Sequence, residues 1–176
     1  SGARSHARRW QFESALVAKL TQGCVQSMTR IAMLAMHHLE RCLLLEARSD
    51  PHPWGKMNWL RSLRDDHCLG LWEGEELLGI SCYTLVLDDV SLLNIVVDTD
   101  SRGRGVGRQL LSEGLEWMQQ FGGARCLLEV RESNTVARSL YTKLGFAEDG
   151  IRKNYYPLGD GYEHAVLMSA DLPLGE

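Results

Sequence analysis

Between residues 102 and 108 the chain reads Arg102-Gly103-Arg104-Gly105-Val106-Gly107-Arg108. A strand is predicted to end just before it, at Val97, and a long amphipathic helix to begin at about Gly105, which places the glycines at a helix amino terminus. There the first N–H groups lack helical partners, the helix dipole favours negative charge, and glycine lets an anion approach the main chain. The chemistry this allows is capture of a pyrophosphate, with three arginines nearby as cationic support. A plain strand-to-helix connection fits the same residues. Two nucleotide motifs are excluded: GxxxxGK[ST] is absent, and GxGxxG with a downstream acid is not matched in an opening strand–helix unit.

A second candidate is Glu129, in Cys126-Leu127-Leu128-Glu129-Val130. A carboxylate on a mid-sheet strand is costly to bury unless it faces a wet cleft, where it can accept a proton. The competing reading is a strand-end glutamate paired with Arg125 or Arg131. Tyr141 lies beside Val136, Ala137, Leu140 and Leu144, and its spacing alone places it in the core. Tyr155-Tyr156-Pro157 is predicted to lie in the loop before the last strand, where adjacent aromatics serve either a ligand or strand-end packing. His37, His38 and His164 have no metal-ligand companions at useful spacing, so no metal is expected. The five cysteines (Cys24, Cys42, Cys68, Cys82, Cys126) are odd in number and scattered without zinc spacing, as reduced, mostly buried thiols would be.

Alternating segments must position these residues. A short strand is expected from Thr29 to Leu34, then a helix with Met36, Leu39, Leu43 and Leu44 on one face, ending before Asp50-Pro51. A second helix is expected from Lys56 to Leu63. Three strands follow, at Cys68–Trp72, Leu77–Leu87 and Val90–Val97, joined by tight acidic turns as an antiparallel meander. The helix from about Gly105 to Phe121 presents Val106, Leu110, Leu111, Trp117, Met118 and Phe121 to the core, and Gly122-Gly123 closes it. Then come a strand at Arg125–Val130, a helix at Thr135–Leu144 capped by Asn134 and ended by Gly145, and strands at about Phe146–Tyr155 and Glu163–Ser169. The strand–helix–strand–helix–strand stretch implies parallel pairing around a right-handed crossover. The fold class is α/β with a mixed sheet: residues 28–176 form one domain, and residues 1–27 an extension in which Trp10 to Leu20 has helical periodicity.

The chain has 176 residues, 44% hydrophobic and 24% charged, with a net charge of −4, which disfavours a nucleic-acid partner. Its apolar runs are shorter than the roughly 18–20 residues of a membrane span. No signal-peptide pattern is present, so a cytoplasmic protein, favoured as a monomer, is expected.

Arg102 to Gly107 also matches Q/R-x-x-G-x-G/A, the acetyl-CoA motif of the GNAT superfamily, and here the sequence resembles that superfamily. The runs NIVVDTDSRGRGVGRQLL, LEVRESNTVARSLYTKLGF, IRKNYYP and DGYEHAVLM, over roughly residues 92–169, resemble its RimI family, and His52-Pro53-Trp54 resembles that family's PW element. The resemblance implies a GNAT fold: a mostly antiparallel mixed sheet whose central parallel strands splay apart to admit acetyl-CoA, flanked by helices. It implies that backbone at Ile95, Val96 and Val97 holds the acetyl and pantetheine portion, that Gly103, Arg104, Gly105, Val106, Gly107 and Arg108 hold the pyrophosphate, and that Asn134 holds the pantetheine arm. By the same resemblance Glu129 is the general base, Tyr141 the general acid, and Tyr155 and Tyr156 bind the acceptor's backbone. The implied reaction is direct transfer, without a covalent intermediate, to the amino-terminal alanine of a small-subunit ribosomal protein. The alternatives are another amine (lysine, polyamine or antibiotic) or a CoA-binding regulatory module. Acidic residues Glu73, Glu75, Glu76, Asp88, Asp89, Asp160 and Glu163 suit a basic protein terminus. Two departures from the family stand out: Thr99 occupies a position that is often proline, and residues 1–27 lie outside the resemblance.

Overall fold

The computed structural model describes residues 28–175. The helical periodicity at Trp10–Leu20 and Cys24 lie outside the described residues. Seven strands form one sheet in the order β1-β2-β3-β4-β5-β7-β6. They are β1 (Thr29–Met33), β2 (His67–Glu73), β3 (Glu76–Val86), β4 (Asp89–Val97), β5 (Arg125–Arg131), β6 (Ala147–Leu158) and β7 (Gly161–Asp171). The helices are α1 (Leu39–Ser49), entered through a 3-10 turn at Met36–His38, α2 (Lys56–Asp65), α3 (Val106–Gln120) and α4 (Thr135–Lys143).

Every pairing is antiparallel except β4 with β5. The expectation of parallel pairing therefore holds for one crossover only. After α4 the chain does not pair beside β5; β6 takes the outer edge, and β7 inserts between the two, antiparallel to both. A hairpin, which needs only a tight turn, fills the slot that a second crossover would have taken.

Helices cover the two faces unequally. On one face α3 and α4 bury Leu110, Leu111, Leu115, Met118 and Tyr141 against strand residues such as Val90, Leu92, Cys126, Leu128, Val130, Val166 and Met168. On the other, α1 and α2 bury Cys42, Leu45, Trp59 and Leu63 against Cys68, Trp72, Leu77, Ile80, Cys82 and Val96, all from β2, β3 and β4. Among the described residues no helix contributes to a cluster over that face of β5, β7 and β6.

Several expected faces are corrected. In α1 the buried side is Cys42, Leu45, Glu46 and Ser49, while Leu44 is 69% exposed. The apolar stripe misled because a glutamate takes an inward position. Phe121 stands out at the end of α3, stacked on His67 at 5.2 Å, and Leu115 fills the core in its place. Val136 is exposed, and Tyr141 is the residue of α4 that is buried. Tyr155-Tyr156-Pro157 lies within β6, not in a loop. Proline suggested a break, but β6 is an edge strand, where a missing N–H costs no ladder bond.

Cys42, Cys68, Cys82 and Cys126 are free and buried. Burial pushes the Cys42 and Cys126 thiols up to about 12, which holds them as unreactive thiols at neutral pH.

Candidate active site

The sheet comes apart at one point. β4 pairs with β5 from Asp89↔Arg125 to Leu92↔Leu128, yet β4 runs on to Val97 and β5 to Arg131. On the other side of β4 the register with β3 slips at the same point, from Tyr83↔Leu92 to Cys82↔Asn94, so Leu93 is the extra residue of a β-bulge. A bulge bends and twists its strand, and here it turns β4 away from β5. The result is the V-shaped gap implied by the family resemblance.

Its walls carry unpaired backbone. Asp98 donates its N–H to Leu78 O on β3 at 2.8 Å, so alternation along an extended chain turns the main-chain groups of Val97 and Ile95 the other way, into the gap. Val96 points its side chain under α1 and α2.

The glycine turn closes the gap at the end of β4. Gly103 (φ +75°) and Gly105 (φ +80°) both occupy the left-handed region, and a side chain there would be strained although nothing lies within 4 Å of the missing Cβ. The first bond of the α3 ladder runs from Gln109 N–H to Gly105 O at 3.0 Å, and no side chain caps the helix. The amides of Val106, Gly107 and Arg108 therefore precede the ladder and face the turn. A Cβ on Gly107 would come to 3.3 Å from Leu140 and 3.5 Å from Val97, so α3, α4 and the end of β4 converge at that residue. Open space at two left-handed glycines, presented amides and a strand gap leading inward together fit a CoA pyrophosphate and its pantetheine arm.

The arginines of the turn are used differently from expectation. Arg104 pairs with Glu73 at 2.8 Å, and Arg102 donates to the carbonyl of Ser49. Arg108 lines a cavity of about 210 Å³ with Ser112, Leu144 and the segment Leu172–Gly175. Arg102 and Arg104 are thus engaged with Ser49 and Glu73, while the main-chain amides at the start of α3 face the turn. α1 backs the turn as well, since Arg48 pairs with Asp98 at 2.6 Å and Ser49 Oγ accepts from Thr99 N–H at 3.3 Å. Asn134 caps α4, its side-chain oxygen accepting from Ala137 N–H at 3.2 Å.

Glu129 and Tyr141 lie on opposite faces of the sheet. Leu128 and Val130 pack with Tyr141 under α3 and α4, so alternation puts the Glu129 side chain on the opposite face of β5, over which no helix packs among the described residues. It is 31% exposed and pairs with Arg152 Nη1 at 3.0 Å. The pairing with Arg125 or Arg131 considered from the sequence is not the one formed. Tyr141 is 4% exposed, 5.8 Å from Phe146 ring to ring, and burial raises its phenol well above the ordinary tyrosine range.

Across β7, Tyr155 and Tyr156 complete the open face. Arg152 pairs opposite Ala165 and Tyr156 opposite Glu163, so three residues of β6 bulge against one of β7. Asn154 sits at the turn of this bulge with φ +52°, and its N–H donates to His164 Nδ1 at 3.0 Å, which gives that histidine a positioning role. The rings of Tyr155 and Tyr156 meet edge-on at 4.9 Å. Tyr156 lies near enough to Glu129 for that carboxylate, after burial, to raise its phenol further.

Arg152 and Glu46 were missed by sequence reasoning, and Arg131 and Glu163 were named without their mutual pairing, because these partnerships depend on the insertion of β7 and on which way α1 rolls. Some acids expected to attract a basic acceptor are also placed elsewhere. Asp88 and Asp89 lie at the end of β4 opposite the gap, and Glu163 is tied to Arg131 at 2.7 Å.

Comparison with known proteins gives the same picture. Residues 33–146 match the model of the Acetyltransferase (GNAT) family. The chain is 33% identical over 148 residues to the [ribosomal protein bS18]-alanine N-acetyltransferase of Salmonella typhimurium, covering 84% of this chain and 100% of the relative. It is 35% identical to the protein of the same name from Haemophilus influenzae, over 82% of this chain and 100% of the other. The crystal structure of the ribosomal-protein-S18-alanine N-acetyltransferase from Escherichia coli superposes with a TM-score of 0.78 at 33% identity, over 85% of this chain and 97% of that one. The chain belongs to the GNAT acetyltransferase family and is an N-acetyltransferase.

Proposed function

We propose that this enzyme transfers acetyl from acetyl-CoA to the amino-terminal alanine of a small-subunit ribosomal protein, within a ternary complex in the cytoplasm. The observation that carries this reading is the V-shaped gap with a left-handed glycine turn at its end; Glu129 on one face of β5 and Tyr141 packed on the other support it. The acceptor assignment draws on the named activity of the relatives, which align over their full length.

Acetyl-CoA supplies an activated acetyl thioester. Gly103 to Arg108 hold its pyrophosphate through main-chain amides, and Asn134 reaches the pantetheine arm from the α4 cap. Backbone of Ile95 and Val97 aligns the arm along β4, and the Val97 N–H polarises the acetyl carbonyl. The acceptor approaches on the Glu129 face of β5, its backbone against Tyr155 and Tyr156. An α-amine has an ordinary pKa of about 7.7–8.0, so much of it arrives as ammonium, and Glu129 takes its proton directly or through a water. The C–N bond forms as the C–S bond breaks; Tyr141 gives its proton to the leaving sulfur, and the second proton shed by the attacking nitrogen restores the phenol. Holding amine and thioester together supplies much of the acceleration.

The test is a competition between two forms of one basic, alanine-initiated peptide, followed by mass spectrometry. The form with a free terminus should acetylate at its α-amine at least tenfold faster than the form with a blocked terminus and free lysines. Equal rates would remove the N-terminal assignment and leave general amine acetylation.

A further inference from the structure

The Glu129 face of β5 holds a second ion pair besides Glu129–Arg152, and the reaction as described does not use it. Arg131 lies two residues beyond Glu129 on the same strand and the same face, with its side chain 17% exposed. Its guanidinium makes three contacts. Nη1 donates to Glu163 Oε1 at 2.7 Å and to Pro157 O at 3.2 Å, and the guanidinium carbon sits 4.5 Å from the centre of the Tyr156 ring. Glu163 is anchored in turn, accepting from Ser133 N–H at 3.2 Å at the entrance to α4. All of this lies immediately after the β6 bulge, where the ladder with β7 is broken from Arg152 to Tyr156 and regular pairing cannot fix the chain.

We propose that Arg131 is a positioning residue for the acceptor: it holds Tyr156 and the stretch of β6 after the bulge at a fixed height above Glu129. Arginine suits this because one planar group can stack on a ring while its edge donates to a carboxylate and a carbonyl. A lysine would keep the charge but lose the plane. The proposal rests on the reading that Tyr156 contacts the acceptor.

The experiment measures KM for an alanine-initiated peptide and for acetyl-CoA in Arg131→Met, Arg131→Lys, Tyr156→Ala and the Arg131→Met/Tyr156→Ala double variant. Arg131→Met should raise the peptide KM about five- to twentyfold and leave the acetyl-CoA KM within twofold, and Arg131→Lys should recover only part of the loss. The double variant should be no worse than Tyr156→Ala, because an effect that passes through the ring has nothing left to act on. In tyrosine-labelled protein, Arg131→Met should also move the Tyr156 phenol titration to higher pH, since the cation opposes its other shifts. A peptide KM unchanged in Arg131→Lys and Arg131→Met, with a raised KM in Tyr156→Ala, would overturn the positioning role alone. If Tyr156→Ala itself left the peptide KM unchanged, the acceptor reading of that tyrosine would fall instead. Should Arg131→Met not fold, Arg131→Lys and the titration decide the matter.

Discussion

Glu46 and Glu129 are two carboxylates directed at the same face of one sheet, and their surroundings separate structure from chemistry. Glu46 lies on the inner face of α1 at 1% exposure, and the groups that donate to it are neutral N–H groups. Trp54 N–H reaches it at 2.9 Å, Trp59 Nε1–H at 2.6 Å and Asn94 Nδ2–H at 3.3 Å. One side chain thus ties α1 to the loop before α2, to α2 itself and to β4 just past the bulge. Glu129, on β5, is partly exposed and meets an arginine that is itself half exposed. A carboxylate with its lone pairs consumed by buried donors holds a fold together; one with a single exchangeable partner beside a gap can take a proton from a substrate.

The largest expected effect tests the exposed member. Glu129→Gln should lower kcat by about 10²- to 10⁴-fold, the usual worth of a general base. The loss should be greatest below neutral pH, where the acceptor is nearly all ammonium. Its thermal midpoint should stay close to that of the parent, because an ion pair open to solvent contributes little. A Glu129→Gln enzyme of full activity across the pH range would end the assignment.

The buried member should behave in the opposite way. Glu46→Ala leaves three buried or partly buried donors without their acceptor, at about 1–3 kcal/mol for each donor that stays dry. A loss of about 3 kcal/mol is expected, or roughly 6–12 °C in Tm for a chain of this size. Well below that midpoint, transfer should fall less than tenfold. Urea unfolding beside initial rates at low temperature would check both halves; a stable Glu46→Ala protein with catalysis abolished would make the two glutamates alike and break the comparison.

The same contrast marks what could be read from the sequence. Element order and most boundaries followed from periodicity; the glycine turn stood out as three glycines at one helix start, but a plain connection fitted it as well until the family resemblance decided between them. The role suggested for Glu129 came from resemblance, since an isolated glutamate in an apolar strand fits a salt bridge equally well. Its real partner, Arg152, is 23 residues away, and the two meet only because β7 inserts between β5 and β6 and the chain bulges at Asn154. Glu46 was hidden by its neighbours: a stripe of leucines in α1 pointed to a different buried face. The sequence showed patterns local to one element, whereas ion pairs that span strands and helix roll are set by packing.

The smallest expected effect concerns Glu163, which stands between the two extremes, being buried like Glu46 yet paired with a cation like Glu129. Its hydrogen bonds from Arg131 and Ser133 hold its carboxyl below the usual glutamate range. A group whose pKa is depressed by folding stabilises the fold wherever it is ionised. That contribution is therefore present above the unfolded value of about 4.3 and is lost as pH falls through the lower folded value. Glu163→Gln should thus cost about 1 kcal/mol at pH 7, in line with a partly buried pair, and progressively less as pH falls through the lowered folded value, where the parent's carboxyl takes up a proton. Urea midpoints of parent and variant at pH 7, 5, 4 and 3 would follow the difference. A gap that narrows only below about pH 4.5 places Glu163 with the ionised, partnered carboxylates. A gap independent of pH would mean that the side chain acts through shape alone, as a buried spacer between β7 and the start of α4.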